Sequence, residues 1–272
     1  MNPAYPGLAA ATLYIVGAWL QFGSLSRSLP APKARTFSIG AVAIVLHALA
    51  VWLVMSVPGA IDLSLFSVAS LTLVVLACIV LVTAVWQPLE NLFALVFPLA
   101  ALAVVASLLS SGDPIPRSAF DRGMLTHVLV SILAYSVLMM AACQSIALSF
   151  QEVALRRHAP MRILRVLPPL QTMETLLFQF LWIGLVLLTL SIGSGFAFLD
   201  DMFAQHVVHH TVLAIASWVN FLVLLLGRHA LGWRGKTAVR WTLAGFTFLA
   251  LAYFGSKFVL EIVLGARDAG DV

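Results

Sequence analysis

Charge is what this sequence has least of. Only 10% of its 272 residues are Asp, Glu, Lys or Arg, while 62% are hydrophobic. A soluble domain carries about a quarter charged residues, so an ordinary water-soluble fold is excluded. Cysteine is almost absent. The two present, Cys78 and Cys143, lie inside apolar runs, which rules out a disulfide framework or a zinc site. There is no nucleophile motif, no Gly-rich phosphate loop, no metalloprotease pattern and no convincing internal repeat. The net charge of +4 is confined to a few short loops, which argues against nucleic acid as a partner. The N-terminal MNPAYPGLAA has no basic region, so the first apolar block is expected to be a span and not a cleaved signal.

What the sequence does have is apolar blocks of about 20 residues, long enough at 1.5 Å per residue to cross a hydrocarbon core of about 30 Å. Eight spans are predicted, at 5–23, 36–56, 64–86, 90–111, 124–149, 173–197, 211–228 and 241–265. The expected fold class is an all-α polytopic membrane protein, a bundle of about eight transmembrane helices forming one membrane domain over residues 1–272. Short breaks at Val57-Pro58-Gly59 and Gln87-Pro88-Leu89 make their neighbours antiparallel hairpins.

The basic residues set the expected orientation. Connections after spans one, five and seven hold Arg27, Lys33 and Arg35, then Arg156, Arg157, Arg162 and Arg165, then Arg228, Arg234, Lys236 and Arg240. Those sides are predicted to face the cytoplasm, with both termini outside. Segment 151–172 is expected to prolong the fifth helix past the membrane and to return along its surface, with Pro168-Pro169 breaking the helix.

Histidines are the main candidates for chemistry. His47 lies near the middle of span two, His127 in the first turn of span five, and His206, His209 and His210 just before span seven. Lys257 lies about 24 Å into span eight. A charge there is costly and usually has a function. Its i−4 and i+4 neighbours, Tyr253 and Glu261, share its face. Imidazoles gathered with a cation toward the outer half of the bundle suit a haem, whose iron takes axial histidines and whose propionates need positive charge. Phe254, Phe258 and Tyr135 are candidate walls of its slot. Each candidate has a plainer reading: His47 or His127 as an interhelical hydrogen-bonding residue, the HVVHH run as solvated loop, and Lys257 with Glu261 as an intrahelical ion pair. His158 and His229 fall on the cytoplasmic side. Trp233 and Trp241 among their basic neighbours read as an interfacial belt.

The run GWRGKTAVRWTLAGFTFLALAYFGSKFV from residue 232 resembles the GWRG…YFG ending of the CcsA-like cytochrome c assembly family. The likeness is to its short, YpjD-type inner-membrane branch. LTHVLVSILAYS at 125–136 resembles the family's outer-histidine helix, and VLHALAVW at 45–52 a histidine-bearing second helix. The resemblance covers nearly the whole chain in order. It implies a bacterial inner-membrane protein that handles haem, expected as haem b, with the bilayer, haem, apocytochrome c or another maturation-system membrane protein as partners. It implies His127 as an axial ligand. His47 or a loop histidine such as His210 would be the other, with Lys257 near a propionate or Glu261.

Two departures from the larger family members are visible. FLDDMFAQHVVHHTVLAIASW at 198–218 replaces their tryptophan-rich loop, and KFVLEIVLGARDAGDV carries no histidine after the last span. The expectation is therefore an accessory haem protein without full synthase activity and with no catalytic residue assigned. Two other classes stay open: a transporter of a small solute or metal using His47, Lys257 and Glu261, and a non-catalytic assembly scaffold.

Overall fold

The eight apolar blocks are eight helices. In the computed structural model, which describes residues 2–27, 33–110, 114–116, 118, 121–157, 168–198 and 208–258, they are α1 (Ala4–Arg27), α2 (Lys33–Met55), α3 (Leu65–Thr83), α4 (Phe93–Leu109), α5 (Arg122–Arg156), α6 (Leu170–Phe198), α7 (Val208–Leu231) and α8 (Gly235–Ala250). A 3-10 turn, Glu90–Leu92, leads into α4, and a π turn, Leu251–Gly255, follows α8. With those turns counted, eight helices among the described residues are long and apolar enough to span a membrane. The chain is an all-α polytopic membrane protein, because in hydrocarbon only a helix or a closed barrel satisfies every backbone group internally.

Two packing units meet at α5. In the first, α1 lies against α2 and α4, and α3 against α4. Phe97 of α4 is the wedge: a Cβ at Gly17 or Gly40 would come within 2.8 or 2.9 Å of its ring. Those two glycines let α1 and α2 close over an aromatic stack in which Phe93 and Phe97 rings lie 4.9 Å apart, with Tyr14 5.3 Å from Phe97. In the second unit α6 packs along α5, α7 on α8, and α8 on α5. The long helix α5 also touches α3 and so joins the two units. It starts where the Asp121 carboxylate accepts the Met124 N–H at 2.7 Å, an ordinary N-cap.

A three-stranded patch covers one end of the bundle. Strand β1 (Ser56–Val57) pairs with β2 (Ala60–Ile61), and β2 with β3 (Ile115–Pro116), all antiparallel. The β1–β2 turn is Pro58-Gly59 with Gly59 at φ 72°, the pattern of a type II turn.

The last helix begins at Gly235, earlier than the predicted 241. The difference is a tertiary contact: Glu174 Oε1 accepts the Gly235 N–H at 3.2 Å, which starts the helix inside the basic turn. As predicted, the fifth helix continues beyond residue 149, to Arg156, and the Pro168 carbonyl accepts Gln151 Nε2 at 2.8 Å. Residues 158–167, the rest of the predicted surface return, lie outside the described residues.

Candidate functional site

Five helices converge on a cavity of about 270 Å³ beside the β patch. α5 contributes Met124, His127, Val128, Ser131, Ile132 and Tyr135. α6 contributes Leu188, Ser191 and Ile192, and α7 contributes His210, Thr211, Ala214 and Ile215. Val68 and Thr72 of α3 close one side, Ile115 of β3 lies over it, and Leu249, Tyr253, Phe254 and Lys257 come from the α8 end. The lining is apolar with a few convergent polar groups, the usual make-up of a small-molecule or cofactor site.

His127 is held by two partners on α6. Its Nδ1 lies 3.0 Å from the Ser191 carbonyl oxygen and 3.1 Å from Ser194 Oγ. A carbonyl oxygen can only accept, so Nδ1 carries the proton and donates it to α6. A neutral ring then leaves its lone pair on Nε2, the nitrogen free to bind a metal. The surrounding hydroxyls lock this arrangement. Ser194 Oγ donates to Ser191 O at 2.8 Å, and Ser131 Oγ, which donates to the His127 carbonyl at 2.7 Å, also sits 2.7 Å from Ser191 Oγ. Ser194, within the GSG stretch at 193–195, therefore supplies a partner of His127.

His210 stands one ring away from an aromatic wall. Its centroid is 6.3 Å from that of Tyr253, edge to face. Tyr253 and Phe254 both stand edge to face with Tyr135, at 6.2 and 6.1 Å. These rings reach the cavity through the π turn, in which one extra residue per turn swings Tyr253 and Phe254 inward. Tyr135 Oη donates to the Leu249 carbonyl at 2.8 Å, just before that turn, and holds it against α5. Lys257 Nζ donates to the Leu63 carbonyl at 3.2 Å, so the rim is tied to the segment before α3.

Three of the four residues singled out by sequence, His127, His210 and Lys257, thus share one cavity. The fourth does not line it. His47 is fully buried in the first packing unit, with Nδ1 3.3 Å from Tyr14 Oη and Nε2 2.9 Å from Ser70 Oγ. Ser107 Oγ lies 3.3 Å beyond, so the imidazole links α1, α2, α3 and α4. Of the predicted aromatic walls, Tyr135 and Phe254 line the cavity, whereas Phe258 is exposed. His229 is exposed near the opposite end of α7. His158, His206 and Glu261 lie outside the described residues, as does the side chain of His209.

Sequence reasoning missed Ser191, Ser194 and Ser131. Serines are common in membrane helices, and only the α5–α6 contact shows which of them face a histidine. It also missed the aromatic partnership of Tyr253 with His210, because no spacing rule reaches across two helices.

The comparisons with known proteins converge. The profile of the family described as cytochrome c assembly protein matches residues 36–264. The inner membrane protein YpjD of Escherichia coli strain K12 is 29% identical over 202 residues, covering 74% of this chain and 76% of that one. A 28.8 kDa uncharacterised protein of Azospirillum brasilense, from the region 5′ of a nifR3-like gene, is 36% identical over 141 residues, covering 51% and 52%. No solved structure matches the chain. With most of its length matched by the family profile, and eight helices able to span a membrane, the chain belongs to the cytochrome c assembly protein family.

Proposed function

We propose that this membrane protein binds a b-type haem in the His127 cavity and serves cytochrome c assembly as an accessory haem carrier in the bacterial inner membrane. The observation that carries the reading is the His127 ring: Nδ1–H is committed to the Ser191 carbonyl, so Nε2 is left as the metal-binding nitrogen. The donor set fits. Among the described residues no group of three His, Cys, Asp or Glu side chains could hold a bare metal ion. A porphyrin brings four nitrogens of its own and asks the protein only for axial ligands. His127, and His210 in the same cavity, are the side chains that would hold its iron. The Tyr135, Tyr253 and Phe254 rings offer the apolar wall, and Lys257 the cation suited to a propionate. Bound haem would supply a redox-active iron. The chain's own residues would orient the ligands, exclude water and hold the group toward the outer face, the orientation that the basic-residue pattern favours.

An ion or solute relay through His47, Lys257 and Glu261 has less support, because His47 sits in a separate hydrogen-bonded cluster. The accessory role is supported by the segment 198–218, which stands where the larger members carry a tryptophan-rich loop.

The test is an absorption spectrum of protein purified after expression with ample haem. A Soret band is expected, lost or strongly shifted in His127→Ala and retained in His47→Leu. A protein without a Soret band, or a band indifferent to His127→Ala, overturns the assignment.

A further inference from the structure

The end of the bundle far from the cavity holds one carboxylate that three helices share. Glu174, in the first turns of α6, has a side chain only 13% exposed. Its Oε1 lies 3.5 Å from Arg228 Nη1 at the end of α7 and accepts the Gly235 N–H at 3.2 Å at the start of α8. Its Oε2 lies 3.8 Å from Arg234 Nε in the turn between them. The turn is folded around this group. Gly232 and Gly235 have φ of 67° and 51°, Arg228 Nη1 donates to the Trp233 carbonyl at 3.2 Å, and the Arg228 guanidinium lies 4.6 Å over the Phe178 ring of α6. The GWRG run is thus the binding loop for an α6 carboxylate.

The same three helices carry the cavity at their other ends. From Glu174 to Ser191 on α6, from Arg228 to His210 on α7 and from Gly235 to Tyr253 on α8 is in each case about 18 residues, or roughly 27 Å of helix. Three arms of nearly equal length leave one anchor and end at one site. A tilt of about 5° at the anchor moves a tip by about 2 Å over that length. A displacement of about 1 Å is already enough to spoil a preorganised site.

We propose that Glu174 is a positioning residue for the cavity: by gathering the Arg228, Arg234 and Gly235 ends it sets the separation of the α6 and α7 tips, and so of His127, which Ser191 of α6 holds, from His210 of α7. Its bearing on haem rests on the function proposed above; the geometric part does not.

The test uses the full chain in lipid nanodiscs with Cys78 and Cys143 replaced by serine. Spin labels go on Leu129→Cys of α5 and Val212→Cys of α7, both exposed and away from the cavity lining. In Glu174→Gln the interspin distance distribution is expected to shift or broaden by about 2 Å, as the tilt estimate requires. In Glu174→Asp it is expected to keep the parent distribution. Should Glu174→Gln fail to fold, Arg234→Gln, at an exposed and longer contact, takes its place with the same expected direction. Haem spectra of the same samples are expected to show a changed low-spin signature in Glu174→Gln, restored in Glu174→Asp. An unchanged distance distribution in the charge-removing variant overturns the proposal, whatever the haem spectrum does. A changed distribution in protein that binds no haem upholds the anchor and overturns the haem assignment instead.

Discussion

His127 and His47 are alike on paper, each a lone imidazole in an apolar helix. The atoms around their nitrogens separate them. His127 has one nitrogen tied to a carbonyl and a cavity beside it, whereas both nitrogens of His47 have partners inside a packed core. His47→Leu is therefore expected to lower stability by about 1–3 kcal/mol, the cost of leaving buried partners unsatisfied, without removing a Soret band. Thermal unfolding in detergent, read beside the absorption spectrum, checks both halves. Ser194→Ala removes one of the two partners of His127 Nδ1 and leaves the Ser191 carbonyl in place. Losing an outer-shell partner typically costs about 10–100-fold in metal affinity. With one partner kept, haem titration of this variant is expected to show the lower end of that range.

The helices themselves were legible, because hydrocarbon leaves the backbone few choices and blocks of about 20 apolar residues read directly as spans. Their ends were less so. The start of α8 depends on Glu174, a residue some sixty positions earlier in the chain. The π turn after α8 was not legible at all, although it aims Tyr253 and Phe254 at the cavity. The turn between α7 and α8 depends on a close approach. Trp233 lies so near Gly227 that a Cβ there would sit 2.5 Å from the ring, and the Trp233 N–H donates to the Gly227 carbonyl at 3.2 Å. Gly227→Val is expected to destabilise by about 1–3 kcal/mol, an overpacking penalty. It is also expected to part the Trp233 and Trp241 rings, now 5.2 Å apart. A lowered unfolding temperature together with altered tryptophan fluorescence would register this.

For the molecule as a whole, the basic residues near one end of α5, α7 and α8 predict an orientation with the cavity end away from the cytoplasm. A single cysteine introduced at Asn2, in a background with Cys78 and Cys143 replaced, is then expected to react with a membrane-impermeant maleimide in spheroplasts. One at Gly232 is expected to react only after lysis, and the reverse pattern would invert the topology. The sequence alone determined the membrane class, the eight spans, the family and the residue types on offer, because hydropathy and motif spacing are one-dimensional properties. Only the tertiary structure decided which of those residues meet. It set His127, His210 and Lys257 around one cavity and enclosed His47 among Tyr14 and Ser70. It also folded the GWRG turn onto Glu174. The physical reason is that a helix fixes the depth of a side chain through its rise per residue, whereas the partner it faces depends on how neighbouring helices rotate and cross.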